Sequence, residues 1–358
     1  MGITARPWWR LLNRVGFDVD VVYAHRTAFV TLCSLFNSAQ ALIERARFAE
    51  SVRGTVIEQP PLFVLGHWRS GTTHLHNLLA QDTERFAFPN TFQVVNPETF
   101  LHTEGLSTRL FRRWVPPKRP MDNMELGFHL PQEDEFATFL TTLSSPYMGI
   151  HFPRRMREYE RYLSFEGTPE AEVREWGRAL RWFLLKVTFK YGPRALLLKS
   201  PPHTARIRLL LDLFPGARFV HIHRHPYEVF ESTCHYFDTA PWLSYLQVPA
   251  AEEEVAEGVL RRYTTLYDAY FEQAPLIPPG QFHEMRFEDL ERDPVGEMRR
   301  LYDRLGLTGL SSFQPRLEQY LHSLRDYRRN QFPGLGAARK QEVRKAWQRS
   351  FHRWGYSE

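Results

Sequence analysis

The segment from Pro61 to Leu79 constrains the fold more than any other. A short apolar run, Leu62-Phe63-Val64-Leu65, leads into Gly66-His67-Trp68-Arg69-Ser70-Gly71-Thr72-Thr73, after which His74, Leu75, Leu78 and Leu79 recur at helical spacing. An apolar run without polar alternation reads as a strand covered on both faces. A glycine loop between such a strand and a helix aims backbone N–H groups and the positive helix end at one point, which favours bound phosphate. The residue after Gly71 is Thr72, whereas nucleotide-hydrolysing loops carry a lysine there to bridge the β- and γ-phosphates. The cation comes earlier, as Arg69. Such a loop suits a nucleotide whose reactive group hangs on its 5′-phosphate and which has no γ-phosphate to clamp.

The rest of the chain repeats the strand–helix theme. Ala195 to Leu198, Ala217 to His223 and Gln281 to Arg286 read as further strands, and Ala171 to Lys190 as a long amphipathic helix. Alternating elements of this kind predict an α/β fold with a mainly parallel sheet flanked by helices. Breaks between the units are short, so residues 61–358 are expected to form one large domain. Residues 1–60 read as a helical extension packed on the body or on a membrane surface. From Thr27 to Ile43 no residue is charged; Thr27, Thr31, Ser34 and Ser38 share a narrow stripe, and Phe29, Leu32, Leu35, Phe36 and Ile43 occupy the other faces. Burial against the body is the expected use of those apolar faces, and an interfacial helix aided by Trp8, Trp9 and Arg10 is the alternative.

With two cysteines in 358 residues, neither a disulfide scaffold nor a four-cysteine zinc site is available, and a reducing, cytoplasmic setting is expected. No run of 18 uncharged apolar residues would span a bilayer. Ten Lys or Arg against four Asp or Glu from Arg316 to Glu358 make the C-terminal segment basic. With no zinc-finger or RNP pattern, that charge fits an anionic small molecule or membrane better than nucleic acid.

A second turn carries the complementary chemistry. Arg224 follows the strand ending at His223, and Ser232 lies two turns into the next helix. Both can converge on one dianionic phosphate, the arginine by a bidentate charge-assisted contact. Two anionic ends of one nucleotide would then be read at the carboxyl edge of the sheet. His221, His223 and His225 alternate and could bind zinc, which would suit a hydrolase, but Pro226 ends the strand at the third of them. No metal is expected.

Four segments in order resemble the sulfotransferase family that uses 3′-phosphoadenosine-5′-phosphosulfate as donor, in its bacterial-type branch. They are Arg69-Ser70-Gly71-Thr72-Thr73, Leu198-Lys199-Ser200-Pro201, His223-Arg224-His225-Pro226 with Ser232, and Arg286-Phe287-Glu288-Asp289-Leu290 with Asp293-Pro294. The resemblance covers roughly Pro61 to Leu307 and implies a P-loop-NTPase-like fold. It also implies a 5′-phosphosulfate loop at residues 69–73 and a 3′-phosphate held by Arg224 and Ser232. A basic segment at Tyr327-Arg328-Arg329-Asn330 would sit near the same phosphate, with Arg328 as the candidate ligand, although the family's Arg-Lys-Gly-x-x-Gly-Asp-Trp signature is absent.

Sulfuryl transfer, like phosphoryl transfer, asks for positioning and charge stabilisation. Lys199 and Arg69 are the candidates to meet charge growing on the departing 5′-phosphate. For the general base the sequence offers Glu133, Asp134 and His203. Members of the family that use a histidine two residues after the lysine differ here, since that position is Pro201. A hydrophobic alcohol, sterol or lipid is the expected acceptor, on the strength of aromatics such as Phe86, Phe92, Phe100, Phe111 and Trp114. A glycan acceptor, a magnesium-dependent nucleotide kinase or NTPase, and a non-catalytic nucleotide-binding protein are the competing readings.

Overall fold

The structure is a computed structural model and describes residues 2–111, 118, 122, 124–249 and 253–357. Its five strands are β1 (Leu62–Leu65), β2 (Phe86–Ala87), β3 (Ala195–Lys199), β4 (Arg218–His223) and β5 (Phe282–Arg286). They form one sheet in the order β2-β3-β1-β4-β5, every adjacent pair parallel. In register, Phe63 of β1 lies between Leu198 of β3 and Phe219 of β4. Side chains alternate across a strand, so Phe63, Leu198 and Phe219 enter one core while Leu62, Val64, Leu197 and Val220 enter a second on the opposite face. Both faces are covered, which is why β1 and β3 carry no polar alternation. The two-residue strand β2 was not expected.

Helices fill the crossovers. Those that matter below are α1 (Ala5–Arg14), α2 (Ala24–Arg53), α3 (Thr72–Leu79), α4 (Phe100–Phe111), α5 (Glu135–Thr142), α6 (Glu170–Tyr191), α7 (Pro226–Thr239) and α8 (Glu253–Gln273). Helix α3 follows β1 directly and lays Leu75, Leu78 and Leu79 on the second core. Helices α6 and α8 cover the first core with Trp176, Leu180, Leu184, Tyr263 and Leu266.

The expectation for α2 is overturned. Its small polar stripe, not its large apolar residues, faces the protein. Trp8 Nε1 of α1 donates to Thr31 Oγ1 (2.8 Å), and the Ala5 amide donates to Ser38 Oγ (2.8 Å). Hydroxyls of Thr31, Ser34 and Ser38 also return to carbonyls one turn back. Small side chains allow α1 a close approach that leucines would block. Phe29, Leu32, Leu35 and Phe36 are therefore exposed, while α1 sends Trp8, Leu11 and Leu12 into the main core.

Several histidines are sealed in the interior. Burial lowers His67, His76 and His223 to about 3, so each is neutral at pH 7. Unfolded histidines titrate near 6.5. The unfolded chain thus binds more protons below that value, and stability that is complete above about pH 6.5 is lost as pH falls toward the folded values. Each histidine contributes a slope of about 1.4 kcal/mol per pH unit. Thermal melting is accordingly expected to drop steeply between pH 6.5 and 4.5; a flat melting temperature over that range would contradict neutral burial.

Candidate active site

The loop after β1 owes its shape to two glycines and one strained arginine. Gly66 has φ +144°, and a Cβ there would lie 2.5 Å from the Ile222 carbonyl oxygen. Gly71 has φ +97°, and its Cβ would meet the Phe287 ring at 2.3 Å. Arg69, between them, is held at φ 70°, a conformation that side chains rarely adopt and that costs of the order of 1 kcal/mol or more. Ser70 is buried, and its hydroxyl is shared between the His67 and Ile222 carbonyls, so it braces the loop. Thr204 Oγ1 accepts the Gly66 amide at 2.7 Å.

A cavity of about 1550 Å³ opens over this loop, larger than most single-ligand pockets. Arg69, Gly71, Thr72, Thr73, Arg224 and Ser232 line it together. Arg69 Nε donates to Ser232 Oγ (3.0 Å) and Arg69 Nη1 to Asp122 Oδ2 (2.8 Å). Arg224 Nη1 donates to the Arg69 carbonyl (3.3 Å), and its Nε donates to Glu228 Oε2 (2.9 Å) one turn into α7. Phe287 ties the two turns together, packing on Gly71 and lying 4.7 Å beneath the Arg224 guanidinium. Its neighbour Glu288 accepts the His225 amide (2.9 Å), which fixes the turn that presents Arg224. From the C-terminal segment, Tyr327, Arg329 and Asn330 line the cavity, whereas Arg328 is exposed and does not. Tyr327 reaches across to donate to the Asp122 carbonyl (2.9 Å).

Three consecutive carboxylates near α5 meet three different fates. Glu133 accepts from Lys199 Nζ on Oε1 (2.7 Å) and from the Tyr147 hydroxyl on Oε2. Tyr147 in turn accepts Trp68 Nε1 of the glycine loop at 3.1 Å. Burial, then the Glu133 charge, holds the Tyr147 phenol protonated well above its ordinary range, so it donates to the carboxylate. Asp134 is sealed, accepting from His203 Nε2 (2.6 Å) and Ser200 Oγ (3.1 Å). Burial pushes its acidity the other way, but His203 and Ser200 outweigh it and hold the carboxyl below its ordinary value. Glu135 is fully buried and bidentate to Arg206 (2.6 and 3.0 Å).

Of the three base candidates, then, the structure brings Glu133 to Lys199 and keeps Asp134 and His203 behind them. His203 packs edge-on to Phe63 and Trp176. Lys199, Glu133, Asp134 and His203 are not among the residues lining the cavity; Lys199 Nζ lies 3.4 Å from Oγ1 of Thr73, which is. Sequence reasoning missed Asp122, Tyr147 and Glu228. Only Glu228, four residues beyond Arg224 on a helix, left a readable signal.

The aromatics expected at an acceptor site are mostly core: Phe86, Phe92 and Phe100 are buried, and Trp114 lies outside the described residues. Apolar lining includes instead Met124, Leu126, Phe128, Leu130 and Pro131, and Glu104 and Thr108 of α4 line the same cavity. The three alternating histidines turn to separate partners, His221 to Glu284, His223 to Tyr356, and His225 to the amide of Tyr227. No group of three His, Cys, Asp or Glu able to hold a metal ion occurs among the described residues.

Residues 60–311 match the family described as "Sulfotransferase family". The chain is 38% identical, over 99% of its own length and 90% of the relative's, to the omega-hydroxy-beta-dihydromenaquinone-9 sulfotransferase Stf3 of Mycobacterium bovis. It is 25% identical over 74% of its length, and 64% of the relative's, to human carbohydrate sulfotransferase 5. Among solved structures, the sulfotransferase STF9 of Mycobacterium avium superposes with a TM-score of 0.66 at 21% identity, covering 87% of this chain and 81% of that one. At that identity the superposition speaks for the fold alone.

Proposed function

Because this chain belongs to the sulfotransferase family, and is a sulfotransferase, we propose that it moves the sulfuryl group of 3′-phosphoadenosine-5′-phosphosulfate onto the hydroxyl of a long apolar lipid alcohol. The observation that carries this reading is the meeting of Arg69, Arg224 and Ser232 on one cavity wall, beside the N-terminus of α3. Two guanidiniums and a helix end on one wall fit a nucleotide with two anionic ends. The donor supplies an activated sulfuryl group on its 5′-phosphate.

The chain's own residues do the rest. Arg224 and Ser232 hold the 3′-phosphate, and the amides of residues 69–73 with Thr72 and Thr73 hold the 5′-phosphate. Glu133 takes the proton of the acceptor hydroxyl as its oxygen bonds to sulfur and the bond from sulfur to the 5′-phosphate breaks. Lys199 offsets the charge left on that phosphate. Tyr147 keeps Glu133 oriented from behind. Met124, Leu126, Phe128, Leu130 and Pro131 in the lining support a hydrophobic acceptor, as does the relative named for a hydroxylated menaquinone. Residues 61–358 carry this activity in a cytoplasmic protein working beside a membrane, and residues 1–60 are its helical extension. No helix of the described residues is long and apolar enough to cross a membrane.

A thermal-shift comparison tests the donor site. Adenosine 3′,5′-bisphosphate at 100 times its dissociation constant is expected to stabilise the protein by about 2.7 kcal/mol. Arg224→Ala should remove most of that gain, while ATP with magnesium should give little. Equal stabilisation of Arg224→Ala would sink the assignment. Transfer of labelled sulfate to long-chain alcohols but not to glycans is the expected acceptor result.

A further inference from the structure

Helix α2 is built inside out for a soluble protein. On its outer face Phe29, Leu32, Leu35, Phe36, Leu42 and Ile43 form a continuous stripe, with Leu32 68% and Phe36 64% exposed. From Ala28 to Ile43 that stripe runs roughly 22 Å at 1.5 Å per residue, with no charged residue in it. Patches of this length on a soluble chain mark interaction surfaces.

We propose that this face docks on an anionic lipid bilayer, lying in the interface with its axis along the membrane plane. Charge favours that occupant over a second copy of the chain. His25 and Arg26 stand at one end of the stripe, and Arg45 and Arg47 at the other. An antiparallel pairing of two such helices brings basic end against basic end, whereas anionic headgroups attract both. Glu44 cannot offset this, because it turns inward to Lys186. Glu98 pairs with Arg45 at 2.6 Å and offsets it, which leaves Arg47 as the positive charge at that end, and Glu50 is exposed only beyond the stripe.

Two tryptophans are exposed on elements that touch α2. Trp9, half exposed, pairs edge-on with Phe17 at 6.1 Å. Trp242 and Leu243 are exposed on a turn that Arg26 ties to α2 through the carbonyls of Trp242 (2.9 Å) and Tyr245 (3.0 Å). Indole rings favour the boundary between headgroups and hydrocarbon.

The face also connects to the cavity. Helix α4 is pinned to α2 where the His102 amide donates to Glu44 (3.0 Å). Glu104 and Thr108 of α4 line the cavity, while Leu106 and Leu110, about half a turn away, are exposed. One helix thus has its polar side on the cavity and its apolar side free. Docking would bring the cavity mouth beside the bilayer that dissolves an apolar acceptor. This last point rests on the acceptor class proposed above; docking itself does not.

The test is sedimentation of the full chain with vesicles of phosphatidylglycerol and phosphatidylcholine in equal parts, without donor or acceptor. The wild-type protein should partition, and Leu32→Glu/Phe36→Glu should lose at least tenfold in partitioning while keeping its melting temperature. Vesicles of phosphatidylcholine alone should bind the wild type several-fold less. Equal binding by the double variant overturns the proposal. So does a stable dimer in light scattering that the double variant dissociates. Should the double variant melt early, Leu35→Ser alone gives the same reading with a smaller loss. Sulfuryl transfer plays no part in this readout, so failure of the acceptor assignment leaves it intact.

Discussion

Lys199→Met is expected to lower kcat about a hundredfold to a thousandfold, the usual consequence of removing one donor that stabilises transition-state charge. Donor binding should change far less, because Arg69, Arg224 and Ser232 stay in place on the cavity wall. Single-turnover kinetics with labelled donor, alongside thermal shift with adenosine 3′,5′-bisphosphate, separates the two effects. The lysine is almost wholly buried and paired with Glu133, so its loss also leaves a carboxylate short of a partner. A control for that penalty is the melting temperature. Turnover within tenfold of wild type would remove Lys199 from the chemistry.

Glu133→Gln should cost about a hundredfold to ten-thousandfold in kcat, the range for a positioned general base. It should also abolish the acidic limb of the pH–rate profile. Asp134→Asn and His203→Ala should behave differently. Both residues are sealed behind Glu133, so their loss should be read in stability while the acidic limb survives. The sign of the Asp134 contribution is fixed by its carboxyl titrating below the ordinary value. Its stabilisation is present above the ordinary carboxylate range and is lost as pH falls through the folded value. An acidic limb that persists in Glu133→Gln and disappears in His203→Ala would make the histidine the base and the glutamate its support.

What the sequence disclosed followed from how each feature is encoded. Strands β1 and β3 are buried on both faces, and that leaves uninterrupted apolar runs such as Leu62 to Leu65. The two residues of β2 are too few to leave any pattern. Within the site, the glycine loop, Lys199, Arg224 and Ser232 were legible because each sits at a fixed offset from a strand end. Tyr147 and Asp122 were not, since they meet Glu133 and Arg69 through folding across 14 and 53 residues. The orientation of α2 was hidden for another reason. Its amphipathicity is real, but Thr31 and Ser38 use hydroxyls to seat α1, which inverts the rule that large apolar residues point inward.

The pairing of three cations at the site with carboxylates has a consequence for selectivity. Arg69 is matched by Asp122, Arg224 by Glu228 and Lys199 by Glu133. An incoming anion gains only the difference between what it offers and what the resident acid already supplies. On the proposed donor site, inorganic sulfate or a nucleoside monophosphate would win only a single such exchange. A ligand with phosphates at both ends wins several exchanges for one loss of translational freedom. Discrimination of this sort measures the spacing of charges along a molecule rather than their total.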